Sequence, residues 1–301
     1  MLKFKKNKTL VIAFLLPALL FYIIFMIIPV VETFVVSFFR WEGVSGFNTS
    51  FVGLSNYIHV FRNADFWGSM GKLAYFVAIS MIAQLGLGFV LAYLISLGLK
   101  GKRFFRLVFF FPIVLSATAI SLMWSMILST NYGMLNTFLK SIGLGSLAKS
   151  WLTDPHLCFT VITLINSWLT VGISFVIIYA GIIAIPGEIY EAASIDGAKG
   201  FSRIFYIIIP MIREIIAVCA IMVLANSMKV FDIFFVITSA TFGPGDANLV
   251  PMGLMYKTAF QGYNFGRGSV IALTVMVLGG VLSGITYFKG FGRKEEVVNE
   301  F

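Results

Sequence analysis

Residues 185–211 read IPGEIYEAASIDGAKGFSRIFYIIIPM, a polar break between two long apolar runs. Within it stand Glu188, Glu191, Asp196, Lys199 and Arg203, a dense set for a chain that is only 12% charged. Between the charges lie Ala192, Ala193, Gly197, Ala198 and Gly200. Small side chains let another surface come close to the backbone, and glycine allows turns that other residues resist. The pattern is that of a loop built to be touched.

The apolar runs on either side define the class. The chain has 301 residues, 59% of them hydrophobic, with a mean hydropathy of +0.96. Soluble domains are about half apolar and about a quarter charged. The expected fold is all-α and integral to a membrane, because in lipid every backbone polar group must be satisfied internally. The runs are long and continuous, not short and alternating, which excludes a barrel.

Six spans are expected. The first runs from Leu10 to about Phe39, uncleaved, with a kink at Pro29. The others cover about Leu73–Leu97, Phe104–Leu128, Leu157–Ile185, Met211–Thr238 and Ser269–Phe288. The domain reading is a segment 1–9, one transmembrane domain 10–288 holding the loop 186–210, and a tail 289–301. Six spans place both termini on one side. That side carries fourteen basic residues: Lys3, Lys5, Lys6, Lys8, Lys100, Lys102, Arg103, Arg106, Lys199, Arg203, Arg213, Lys289, Arg293 and Lys294. The other side carries seven: Arg40, Arg62, Lys72, Lys140, Lys149, Lys257 and Arg267. The excess of positive charge marks the cytoplasmic side. It accounts for the net charge of +9 without any nucleic-acid partner.

The loop resembles the "EAA" signature of permease subunits of bacterial binding-protein-dependent ABC importers. The resemblance rests on Glu191-Ala192-Ala193, Asp196-Gly197-Ala198, Phe201, Phe205 and Ile209-Pro210. Weaker likenesses lie at Phe51–Tyr57 (FVGLSNY), Gly133–Asn136, Trp151-Leu152, Phe242–Gly245 and Phe265–Ser269. Together these point to the carbohydrate-uptake branch, and within it to the first of two dissimilar permeases, the relative of the maltose and glycerol-phosphate permeases. The resemblance implies a type I importer bundle in the bacterial cytoplasmic membrane. It implies a second permease, two ATPase subunits carrying ATP and Mg, and an extracytoplasmic binding protein that delivers a sugar, oligosaccharide or polyol. It makes the loop the helix that docks on an ATPase. Glu188, Glu191, Ala192, Ala193, Asp196, Gly197, Ala198 and Phe201 are then the coupling residues.

The chain itself carries no enzymatic signature. Gly71-Lys72 and Gly101-Lys102 lack the upstream glycine and the following hydroxyl of a phosphate-binding loop. ATP hydrolysis is therefore expected from a separate subunit. Cys158 and Cys219 sit in apolar runs as small hydrophobes, and His59 and His156 have no ligand spacing, so no metal or cofactor is expected in this chain.

The expected substrate path starts from Asn226, Lys229 and Asp232. At i, i+3 and i+6 on one continuous helix they would share a sector of about 120°. Charges inside a membrane face a bundle interior or an aqueous cavity. The competing reading pairs Lys229 with Asp232 and lets them reach toward the outer interface. Asn166 and Trp168 in the fourth span complete the candidate lining. Glu32 is given no role. The alternative function, an ion-coupled secondary transporter, would show repeated halves, and would leave the loop unexplained.

Overall fold

The computed structural model describes residues 8–43, 49–98 and 101–291. Lys3, Lys5, Lys6, Lys100, Arg293 and Lys294 lie outside these residues, as do most of the segments 1–9 and 289–301. Helices dominate. In order they are α1 (Lys8–Tyr22), α2 (Ile28–Val36), α3 (Ser55–Arg62), α4 (Ala64–Met81), α5 (Gly88–Ser96), α6 (Lys102–Val114), α7 (Ala117–Ile127) and α8 (Met134–Ser141). Then come α9 (Cys158–Ile183), α10 (Gly187–Ile195), α11 (Phe201–Arg203), α12 (Ile209–Met211), α13 (Arg213–Met228), α14 (Asp232–Ile237), α15 (Pro251–Tyr256) and α16 (Phe265–Phe291). Two short antiparallel strands, β1 (Phe39–Arg40) and β2 (Ser50–Phe51), pair Phe39 with Phe51.

Among the described residues four helices are long and apolar enough to cross a membrane, and two bent helix pairs bring the number to six when each pair counts as one span. The details differ from the expected spans in four places. The first span runs through Pro29 as one continuous helix, Phe14–Val36, with a π-helical turn, Ile23–Ile27, just before the proline. A proline lacks the N–H of an i→i−4 bond, and its ring crowds the carbonyl four residues back; one wide turn relieves both. The same device, Ile204–Ile208, precedes Pro210. The second span begins earlier, so that Ala64–Ser96 is one 33-residue helical run.

The third span is two helices, α6 and α7, bent by 98° at Leu115-Ser116. Ser116 is extended (φ −60°, ψ 131°), the conformation of a helix-capping residue. The fifth span is broken twice. It bends by 74° at Ile212, and it stops at Met228 before restarting as α14. Asn226, Lys229 and Asp232 therefore do not lie on one continuous helix.

The chain divides into two compact units. The first holds residues 1–67 and 254–274. Its span Phe14–Val36 has a hydropathy of 2.7 and none of its most apolar window is buried. That surface suits lipid or another membrane chain. Elsewhere in this unit two of the resembling motifs meet. The buried Asn56 amide donates to the carbonyls of Ser37 and Phe39, each at 2.9 Å. The Phe265 N–H donates to the Trp41 carbonyl at 2.9 Å. Gly266 packs against Phe39 and Asn56 so closely that any side chain would overlap them.

The second unit holds residues 68–253 and 275–301. Its axis is α9, which packs against α5, α6 and α13. Phe76, Phe159, Ile162 and Phe234 form one apolar core toward the start of α9. Ala92, Ile95, Phe175 and Ile178 form another toward its end. Here too resembling motifs join: Trp151 Nε1 donates to Asn136 Oδ1 at 2.8 Å, and the Asn136 amide donates to the Lys149 carbonyl at 2.9 Å.

Small residues set the helix spacing. A Cβ at Gly172 would lie 2.5 Å from the Phe109 carbonyl oxygen and 3.0 Å from the Phe110 Cα. The contact is with backbone, which cannot rotate away. Gly172→Ala is expected to force α6 off α9 and to cost about 1–3 kcal/mol. Thermal unfolding of the detergent-solubilised protein measures this; an unchanged midpoint would show that the pair has slack.

Candidate functional site

Two sites emerge in the second unit. The first is α10, the short helix that follows α9. Pro186, extended at ψ 140°, ends the preceding span and starts the new helix. Glu188 sits in the first turn, where a carboxylate complements the helix dipole. The C-terminus closes in a Schellman arrangement. The Ala198 N–H reaches the Ala193 carbonyl at 2.8 Å, and the Gly197 N–H reaches the Ser194 carbonyl at 3.3 Å. Gly197 at φ +78° makes this possible, because the left-handed conformation disfavours a Cβ. Gly200 at φ +56° makes the second reversal, into α11.

The helix faces are sorted by spacing. Ile189, Tyr190 and Ala193 turn inward, with Ala193 buried and the other two packed on the core that contains Ile182 and Ile185. Glu188, Glu191, Ala192 and Asp196 are exposed, as are Gly197 and Phe201; Ala198 is half-buried. Ile195 is 86% exposed and Phe201 80%. An apolar tip flanked by carboxylates is a surface shaped for a partner. Ile195 was not singled out in the sequence; as one more apolar residue it gave no signal until its exposure was seen.

Arg203 locks the helix to the chain that returns. Its Nη2 donates to Ser194 Oγ at 2.9 Å, and its guanidinium lies over the Tyr190 ring at 5.6 Å. Tyr190 in turn donates from its hydroxyl to the Ile182 carbonyl at 3.3 Å. Burial pushes the Tyr190 phenol up, with Arg203 opposing. α10 is thus held to the end of α9 and to α11 by one connected set of side chains.

The second site is a cavity of about 500 Å³ at the break in the fifth span. Asn226 and Lys229 come to it from the end of α13, and Asp232 from the start of α14. Asn166 and Thr170 come from α9, and Gln84 from the π-helical turn Ile82–Leu87. The three fifth-span residues therefore share a cavity through a helix break, not through a helix face. Lys229 lies at a helix C-terminus and Asp232 at an N-terminus, each with the sign the local dipole favours. Among the described residues no ion pair joins them, so the pairing alternative does not describe this geometry. Discontinuous helices in the membrane expose polar backbone ends where a polar substrate passes.

Trp168 does not line this cavity. It is 41% exposed and stacks edge-on with Trp124 at 5.8 Å. Two positions along α9 from Asn166 is a rotation of about 200°, the opposite face. Gln84 was missed; a lone amide in an apolar run was its one signal, and the π turn that presents it has no sequence mark.

Residues 84–295 match the family model described as binding-protein-dependent transport system inner membrane component. A probable ABC transporter permease, YurN of Bacillus subtilis (strain 168), is 34% identical over 275 residues, 91% of this chain and 93% of its own. The trehalose/maltose transport system permease MalF of Thermococcus litoralis is 32% identical, covering 93% of this chain and 92% of its own. A solved chain from a bacterial alginate ABC transporter, in complex with an alginate pentasaccharide-bound periplasmic protein, superposes with a TM-score of 0.78. It is 20% identical and covers 93% of each chain.

Proposed function

The chain belongs to the binding-protein-dependent transport system inner membrane components, multi-pass permease subunits of ABC importers that are not themselves enzymes, and from that premise we propose the following cargo, partners and orientation. The cargo is a carbohydrate: a sugar, an oligosaccharide or a related polyol. It arrives on an extracytoplasmic binding protein. A second, dissimilar permease completes the pathway, and two ATPase subunits supply ATP and Mg. α10 faces the cytoplasm, as do both termini, in keeping with the fourteen-to-seven division of basic residues.

One observation carries this reading: α10 is an exposed helix with an apolar tip, hung between two apolar spans and tied to both by Arg203 and Tyr190. A helix so placed transmits force from a soluble partner. The cargo class is supported by the trehalose/maltose relative and by a cavity of amides, hydroxyls and one charge of each sign, the kind of lining that hydrogen-bonds sugar hydroxyls.

Reconstitution tests it. Proteoliposomes holding both permeases and the ATPases are expected to take up sugar only with ATP inside the ATPase compartment and loaded binding protein on the other face. Uptake by this chain alone, driven by an ion gradient and indifferent to ATP, would favour a secondary transporter and overturn the proposal.

A further inference from the structure

The cavity at the helix break is not the largest in the second unit. Another, of about 770 Å³, lies at the far end of the same two helices. α7 begins at Ala117 in the inner cavity, and Ser125 near its end lines the outer one. α14 begins at Asp232 in the inner cavity and ends at Ile237 in the outer one. At 1.5 Å per residue the two cavities are offset by roughly 8–12 Å, about the length of two linked sugar rings. α9 starts at this end and runs away from it to α10, so the outer cavity is on the side opposite the coupling helix.

The outer lining differs chemically from the inner one. Among the described residues it holds no charged side chain. Ser129, Thr130, Asn131, Thr153 and Ser239 offer hydroxyls and an amide, and Tyr132, 76% exposed, offers an aromatic face. Hydroxyls both donate and accept, as sugar hydroxyls do, and an exposed aromatic ring provides the apolar surface on which a sugar's C–H face rests.

The wall is also built at a conformational cost. Ser239, Ala240 and Phe242 all have left-handed φ, at 51°, 64° and 57°. Residues held this way cluster at ligand sites. The loop is fixed by the Ala240 N–H on the Phe235 carbonyl at 2.8 Å, by the Phe242 N–H on Thr238 Oγ1 at 3.0 Å, and by the fully buried Phe242 ring. Behind it Asn248 is fully buried, with both amide atoms lacking a hydrogen-bond partner, and it abuts Gly243 in the cavity wall. Asn248 itself does not reach the cavity; what faces it is a loop held in a costly conformation, the kind of wall that a bound ligand would explain.

We propose that this outer cavity is a carbohydrate subsite, holding one part of an oligosaccharide whose other part reaches the inner cavity. It deepens the carbohydrate reading above and rests on it. The consequence is selectivity for length: two subsites reward a chain of linked sugars, and a single ring can fill only one.

The test uses the complete reconstituted importer with its binding protein and an array of mono- to pentasaccharides of the gluco, galacto, manno, xylo and chito series. Tyr132→Ala and Asn131→Ala are each expected to lower kcat/KM for imported oligosaccharides about fivefold, and for a monosaccharide by under about twofold. Tyr132→Phe keeps the ring and most of the uptake. Both positions are exposed, so the fold should tolerate them. Equal loss at every length would mean damaged docking of the binding protein, and unchanged kinetics would mean no contact; either overturns the subsite. Import of monosaccharides alone overturns it while the carbohydrate reading stands. Import of no sugar from the array overturns the carbohydrate reading itself.

Discussion

Gly197→Val is expected to abolish ATP-driven uptake while leaving membrane insertion intact. Gly197 holds φ +78°, and a Cβ there would meet nothing within 4 Å. The obstacle is therefore the backbone and not crowding. A left-handed conformation costs an ordinary residue roughly 1–2 kcal/mol, and a β-branched side chain is a genuine outlier there. The cheaper response is to leave that conformation. Both closing bonds then go, Ala198 to Ala193 and Gly197 to Ser194, and α11 departs in a new direction. Arg203 leaves Ser194 and Tyr190 with it. The helix tip stays apolar, but the lever behind it is no longer stiff. Asparagine tolerates the left-handed region better than other side chains, so Gly197→Asn should retain most activity. The readout is uptake and sugar-stimulated ATPase turnover in proteoliposomes. Wild-type coupling in the valine variant would remove α10 from the transmission path.

Lys229→Leu and Asp232→Leu form the second pair of large effects. Each removes a charged hydrogen-bonding group from the inner cavity and puts hydrocarbon in its place. Hydrogen bonds to charged groups are worth about 1.5–3 kcal/mol, so kcat/KM for uptake should fall about 10- to 100-fold. Stability should change little, because both side chains are exposed and the lost dipole complement is worth roughly 0.3–1 kcal/mol. ATPase activity without sugar should persist. Trp168→Ala is the contrast: Trp168 lies off the cavity beside Trp124, and uptake should be near normal. If the leucine variants transport as well as the parent, the polar wall does not touch cargo.

Helix α10 was open to reading because local chemistry specifies it. Proline starts it, Gly197 and Gly200 end and reverse it, and alternating small and charged residues set its faces; none of this needs a distant contact. The cavity at the helix break was only half open to reading. Asn226, Lys229 and Asp232 stood out because charge and amide are rare in an apolar run. Their arrangement did not, since residues 229–231 carry no proline or glycine to announce a break. Asn166 and Trp168 are two positions apart in one apolar run, and helical rotation turns Trp168 away from the cavity that Asn166 lines.

What the sequence determined by itself is the all-α membrane class, the long apolar spans and the position of the polar helix α10, because hydrophobic length and turn residues act locally. Tertiary structure decided where the third and fifth spans bend, which amides face a shared cavity, and how the outer cavity is walled. Those features depend on which backbone groups find partners once helices pack. Inside a membrane an unsatisfied carbonyl or N–H is too costly to leave, so helix breaks settle where a neighbour, a cavity or a polar side chain can receive them. The polar stretch 185–211 could be read at sight; the cavity it would open and close could be seen only once α7, α9, α13 and α14 were in place.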